Sequence, residues 1–143
     1  MRRKTSRIVL FIVMLTAAAV IVLIKRDEDA SPLRYIKKES AHHSFVITKN
    51  NEVKFTEEIH IQNASNRPQK FKGIGVYSNN FKNGLLAAER LNGFTDSDQP
   101  EILELGAQAQ QTFSIDFLGE KGAAHMKQDR SPPEEILFIF IKK

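Results

Sequence analysis

The sequence predicts an all-β domain, a two-sheet antiparallel sandwich of about seven strands, preceded by one N-terminal transmembrane helix. Three observations predict it. Ile8 to Ile24 is an unbroken apolar run. Val53 to Ile61 and Gln110 to Leu118 alternate apolar and polar side chains with the period of a half-buried strand. Between such segments lie clusters of Gly, Pro, Asn and Ser, the residues that turns demand. A small barrel is the second architecture this pattern fits.

Charge separates the two parts of the chain. The net charge is +4, and Arg2, Arg3, Lys4 and Arg7 lie ahead of the first long apolar stretch, leaving 17 basic against 17 acidic residues from Ile8 onward. A nucleic-acid surface needs a basic patch on the folded part, and this balance supplies none. Basic residues beside a spanning helix stay on the cytoplasmic side. Residues 1–7 are therefore expected as a cytoplasmic tail. With no cysteine in the chain, disulfides, thiolate metal sites, a lipidated cysteine and cysteine nucleophiles are excluded.

Residues 8–24 hold no charge, and Thr16 is their one polar side chain. A helix of that length is roughly 26 Å long against a hydrocarbon core of about 30 Å, and Arg7, Lys25 and Arg26 can snorkel across the difference. Apolarity on every face argues against a helix packed on a soluble core. Ala17-Ala18-Ala19 fits a signal-peptidase site, with cleavage after Ala19 the alternative to a retained anchor; cutting there leaves an apolar VIVLI end. The retained signal anchor is the reading adopted, with the C-terminal part outside the cytoplasm.

Residues 25–39, charged and containing Pro32, read as a juxtamembrane linker, and 40–143 as the domain. Phe45 and Ile47 give a short strand, closed by turn chemistry at Lys49-Asn50-Asn51-Glu52. In Val53 to Ile61 the odd positions are apolar except Glu57. A polar turn follows from Asn63 to Pro68. Phe71 to Tyr77 is a strand in which Gly73 and Gly75 imply a bulge or a close backbone approach. Leu85 to Leu91 is ambiguous between helix and strand and is read as a short strand. Glu101 to Leu105 is a short strand ended by Gly106, and in Gln110 to Leu118 Phe113, Ile115 and Phe117 alternate with Thr112, Ser114 and Asp116. Gly119 to Glu135 is a long loop and a candidate contact surface. Ile136 to Ile141 is continuously apolar, as in a strand buried on both faces.

Some residues invite sharper readings. His42 and His43 are adjacent, but neighbours on a strand face opposite ways, so a shared metal ion is not expected and a solvated strand start is. His60 and His125 are expected in solvent. Glu57 is either a perturbed carboxylate in a cleft or a residue at the sheet rim or opposite a cation, and the second reading is preferred. Glu57 and Glu58 face opposite ways and cannot act as an acid/base pair. Asn63-Ala64-Ser65 fits a glycosylation acceptor and equally a turn. Neither a G-x-S-x-G elbow nor a phosphate-binding G-x-x-x-x-G-K-[ST] loop is present. No catalytic residue, cofactor or metal is expected.

The order of features resembles the telokin-like, immunoglobulin-type domains of bacterial membrane-anchored proteins and lipoproteins. The resemblance rests on Ile59-His60-Ile61-Gln62-Asn63-Ala64-Ser65, on Leu105-Gly106 before Gln111-Thr112-Phe113-Ser114-Ile115-Asp116-Phe117, and on the final Ile136 to Ile141 strand. It implies an immunoglobulin-like sandwich that works as a binding or assembly module and brings no shared active site. The expectation is a single-pass envelope protein that meets the bilayer through 8–24 and a protein partner through its domain. The alternative is an envelope sensor or carrier that takes a small ligand or cell-wall polymer in a cleft lined by Tyr35 and Tyr77.

Overall fold

Strand-forming alternation dominates the chain, and the computed structural model, which describes residues 31–94, 101–123 and 130–142, is built almost wholly of strands. The expected tail and transmembrane helix lie outside the described residues, among which no helix is long and apolar enough to cross a membrane. The strands are β1 (Leu33–Tyr35), β2 (Ala41–Ile47), β3 (Glu52–Asn63), β4 (Gln69–Val76), β5 (Arg90–Phe94), β6 (Leu103–Leu105), β7 (Gln110–Glu120) and β8 (Glu135–Phe140). A 3-10 turn, Lys37–Glu39, separates β1 from β2, and one short helix, α1 (Ser78–Lys82), follows β4.

β3 organises the sheet. Along one edge it pairs antiparallel with β7 from Glu52↔Glu120 to Gln62↔Gln110. Its other edge is shared: β2 covers 53–58 and β1 covers 61–63. The β2–β3 hairpin turns where the sequence places Lys49-Asn50-Asn51-Glu52; Asn51 takes a positive φ of 61° there, a conformation Asn tolerates well. Across the molecule β4 carries β8 on one edge and both β5 and β6 on the other.

One pairing decides the architecture. β5 bonds to β4 through Ile74↔Asn92, Gly75↔Leu91 and Val76↔Arg90, and to β7 through Asn92↔Leu118, Gly93↔Phe117 and Phe94↔Asp116. The two halves are thereby one continuous eight-stranded sheet, curled into a nearly closed barrel. The all-β expectation holds; the two-sheet sandwich does not, because β5 joins what a sandwich would keep apart.

Four further expectations are corrected. Residues 33–39, read as linker, belong to the domain: β1 pairs with β3, and the compact unit begins at Pro32. Leu85 to Leu91 is not a strand. Leu85 and Leu86 are buried in an irregular segment after α1, and β5 starts only at Arg90. β8 is not buried on both faces; it is an edge strand, with Ile136 inside and Ile139 at 47% exposed. The expected loop from Gly119 is shorter than foreseen, since β7 runs on to Glu120 and its bridge Leu86↔Lys121 lies beyond.

The barrel interior is filled by the inward row of β3 (Val53, Phe55, Ile59 and Ile61) with Phe71, Leu91, Leu105, Ile115, Phe117 and Ile136. Each such side chain contributes roughly 1.5–3 kcal/mol by leaving water. Phe55 stacks on Tyr77 with ring centroids 4.6 Å apart, and Phe117 meets Tyr77 edge-on at 5.7 Å. Gly75 makes room for these rings, since a Cβ there would lie 2.8 Å from the Tyr77 ring and 2.9 Å from Phe117. The strand glycine thus marks a close approach and not a bulge. Gly73 has ordinary space, its nearest neighbour being Ile136 at 3.7 Å.

Gly75→Ala is accordingly expected to destabilise by about 1–3 kcal/mol through overpacking, while Gly73→Ala leaves stability within about 0.5 kcal/mol of the wild type. Thermal unfolding of the two variants side by side checks the pair; equal effects would contradict the packing described.

Candidate functional site

Glu57 sits at an odd position of β3, and the strand period carries it inward with Phe55 and Ile59. The structure leaves it 0% exposed. It is neither at a rim nor opposite a lysine or arginine, so the preferred sequence reading is corrected, and no cleft opens onto it in the way the other reading required. What surrounds it is a set of polar groups delivered by separate elements.

His42 comes from β2. The register of β2 on β3 shifts between His42 and Ser44, a bulge at His43, so that His42↔Glu57 and Phe45↔Phe55 both face inward although three residues apart. Without that extra residue the period of two would send one of them to solvent. His42 Nδ1 lies 3.1 Å from Glu57 Oε1. His43 is exposed, and the pair does not share a face. Tyr77, just past β4, donates its hydroxyl to the same Oε1 at 3.2 Å. Glu57 Oε2 is buried with no hydrogen-bond partner.

Burial is the largest influence on this carboxyl and pushes it up to about 8 from a usual 4.5, against the lowering effect of the Tyr77 hydrogen bond. Burial thus favours the neutral form of the Glu57 carboxyl over the ionised one. The Tyr77 phenol is held well above its usual value, first by burial and then by Glu57. Tyr35 on β1 is pushed up to about 12, mainly by burial, with the charges of Glu57 and Glu134 adding to it. Its hydroxyl donates to the Pro133 carbonyl at 3.0 Å, tying β1 to the residues that lead into β8. Tyr77 is 1% exposed and belongs to the core, so Tyr35 and Tyr77 do not line a cleft.

The remaining candidates have structural work. His60 lies on the outer face as expected but is held there, with Nδ1 2.9 Å from Thr112 Oγ1 and Nε2 3.3 Å from Glu39 Oε2. His125 lies outside the described residues, as do 124–129 of the proposed contact loop. Asn63 is 1% exposed; its amide donates to the carbonyls of Arg67 and Gly106, each at 2.8 Å, while its oxygen accepts from the Ser65 N–H at 3.0 Å. The N-x-S sequence is thus a turn staple whose amide nitrogen is already engaged. Among the described residues no group of three His, Asp or Glu could hold a metal. An open groove of about 400 Å³ is lined by Arg67, Pro68, Gln69, Lys70, Glu104 and Ile141, with no nucleophile or histidine among them.

The feature that sequence reading missed is the sheet edge. β8 pairs with β4 alone, and Ile139 and Phe140 stand 47% and 38% exposed along it. Its unbroken apolarity was visible but read as double burial. In comparisons with protein-family models, with curated proteins and with solved structures, the chain has no match.

The buried carboxyl has a pH signature. The fold keeps a proton on Glu57 that the unfolded chain releases above about 4.5, so stability falls as pH rises from there to about 8 and levels off beyond. The steepest loss from this one group is about 1.4 kcal/mol per pH unit. Glu57→Gln removes that component, and its stability relative to wild type is expected to rise between pH 5 and 8 in denaturant titrations. Parallel pH profiles would contradict the assignment.

Proposed function

We propose that this chain is a single-pass membrane-anchored binding or assembly module without catalytic activity, its N-terminus in the cytoplasm and its barrel outside it. The observation that carries the reading is the β8 edge. An edge strand with exposed apolar side chains is a template for strand addition, because the N–H and C=O groups on its open side give affinity and its side chains give selectivity. The anchor reading of Ile8 to Ile24, flanked by four basic residues on one side, supports placement in the cell envelope. The likeness to telokin-like envelope domains supports the same role through mode of display, although the strands are joined as one sheet.

The polar groups around Glu57 do not favour an enzyme. Oε1 is taken by His42 and Tyr77, and Glu57 and Tyr77 are buried in the core, out of hydrogen-bond reach of a substrate. The sensor or carrier reading has less to support it, since Tyr77 fills the interior in place of lining a pocket.

Crosslinking in intact cells, followed by mass spectrometry, tests the proposal with the wild type and Ile139→Lys compared. A protein partner enriched with the wild type and at least tenfold weaker with the lysine variant is the expected outcome. Equal recovery with both variants, or digestion of the barrel only by protease on the cytoplasmic side, would overturn it.

A further inference from the structure

The two outer boundaries of the sheet are treated differently. On the β2 side the edge is interrupted by the bulge at His43, and β1 is only three residues long; bulges and short strands are the devices by which proteins keep edges from pairing. β8 is approached by β1 at its start, where the Tyr35 hydroxyl donates to the Pro133 carbonyl, and its apolar run carries no such device. Residues 136–141 contain no charge, proline or glycine, and a six-residue apolar segment of this kind left uncovered is an aggregation hazard.

The distribution of charge along β8 suits one occupant in particular. Acidic Glu135 precedes the apolar run and basic Lys142 and Lys143 follow it; the neighbouring Glu134 is already engaged, its carboxylate accepting from the Ser78 and Asn79 N–H groups. Two such strands running antiparallel set each acidic end beside the basic end of the other. On the outward face the order Leu137, Ile139, Ile141 reads as its own complement about Ile139: Ile139 meets its copy and Leu137 meets Ile141, with the exposed Glu135 at the end where the copy's basic residues follow its apolar run. The Ile141 N–H bonds to the Lys70 carbonyl at 2.9 Å, which turns the odd amides of this stretch toward β4 and leaves those of Phe138 and Phe140 directed at the open side. These are the groups that the antiparallel pair would use.

We propose that the partner of the β8 edge is a second copy of this chain, joined antiparallel about Ile139 so that the two sheets become continuous across a two-fold axis. The proposal rests on the binding-module reading and names its partner. Ile139 and its copy then form a non-hydrogen-bonded pair, whose Cα atoms stand about 4.5 Å apart, inside the span a disulfide bridges.

Because the chain contains no cysteine, single substitutions report the pairing directly. The full chain in its membrane, oxidised with copper phenanthroline, is expected to give a disulfide-linked dimer with Ile139→Cys at least tenfold faster than with Val46→Cys. Val46 is 51% exposed on the guarded β2 edge. Leu137→Cys mixed with Ile141→Cys is expected to crosslink between the two variants and at least fivefold less with each alone. Crosslinking of Ile139→Cys no faster than Val46→Cys, or loss of the 137–141 preference, overturns self-pairing. Treatment of Ile139→Cys with a cysteine-reactive bifunctional crosslinker separates the two readings: an adduct with a different protein overturns the second copy but leaves the binding edge standing, and no protein adduct of any kind overturns both.

Discussion

The barrel depends on one constraint, that β3 must pair along both edges while keeping one face dry. It is the longest strand at 12 residues, and its inward row of Val53, Phe55, Glu57, Ile59 and Ile61 is 0% exposed. A slip of one residue against β7 would bring Lys54, Glu58 and His60 inside and put five core residues in water. The register is therefore fixed by burial alone. On the outer face Thr56 adds a hydrogen bond to Asp116 and Lys54 an ion pair with it, both at 2.6 Å; the half-exposed ion pair contributes little. The cost of this arrangement falls on Glu57. An ionised carboxylate in that row would lose its hydration, and burial favours the neutral acid, whose Oε1 is hydrogen-bonded to His42 of β2 and to Tyr77 just past β4.

From β3 the remaining structure follows. β7 and β2 extend the sheet on either side, and the bulge at His43 brings His42 into register with Glu57 while Phe45 still reaches Phe55. β5 is short, but its position between β4 and β7 converts two local meanders into one curled sheet. That curl brings the two outer edges toward each other, and the Tyr35 hydroxyl on the Pro133 carbonyl links them at one point. The barrel is thus nearly closed and leaves β8 with backbone groups and apolar side chains to satisfy. A binding role arises in this view from geometry that the fold leaves incomplete, and not from a constellation of reactive groups.

Local patterning made β3, β4, β7 and β8 readable, because a period of two or a dense run of β-branched and aromatic residues signals a strand wherever it pairs. It could not decide between sandwich and barrel. Both use the same alternation, and the choice lies in the five residues of β5, of which Arg90, Leu91 and Asn92 pair with β4 and Asn92, Gly93 and Phe94 with β7. The same limit hid β1, whose Leu-Arg-Tyr is too short for a pattern, and α1, whose Ser-Asn-Asn-Phe-Lys has none. Glu57 is the instructive case. The period placed it inside, and its charge argued for the rim; the period won because protonation removes the charge. A sequence signal for this existed only in hindsight of pairing, since His42 and Tyr77 are 15 and 20 residues away in the chain. The β8 edge was legible in composition and misread in position, because continuous apolarity does not distinguish a central strand from an edge strand.

The central claim is that the middle of β3 carries a neutral carboxyl in a dry interior. Carbon-13 NMR of the Glu57 side-chain carboxyl across pH measures it directly, at a single atom and without a mutation. A titration midpoint near 8, far above the usual 4.5, is the predicted result. A midpoint near 4.5 would contradict the account, because it would mean that burial does not hold the Glu57 carboxyl in its neutral form.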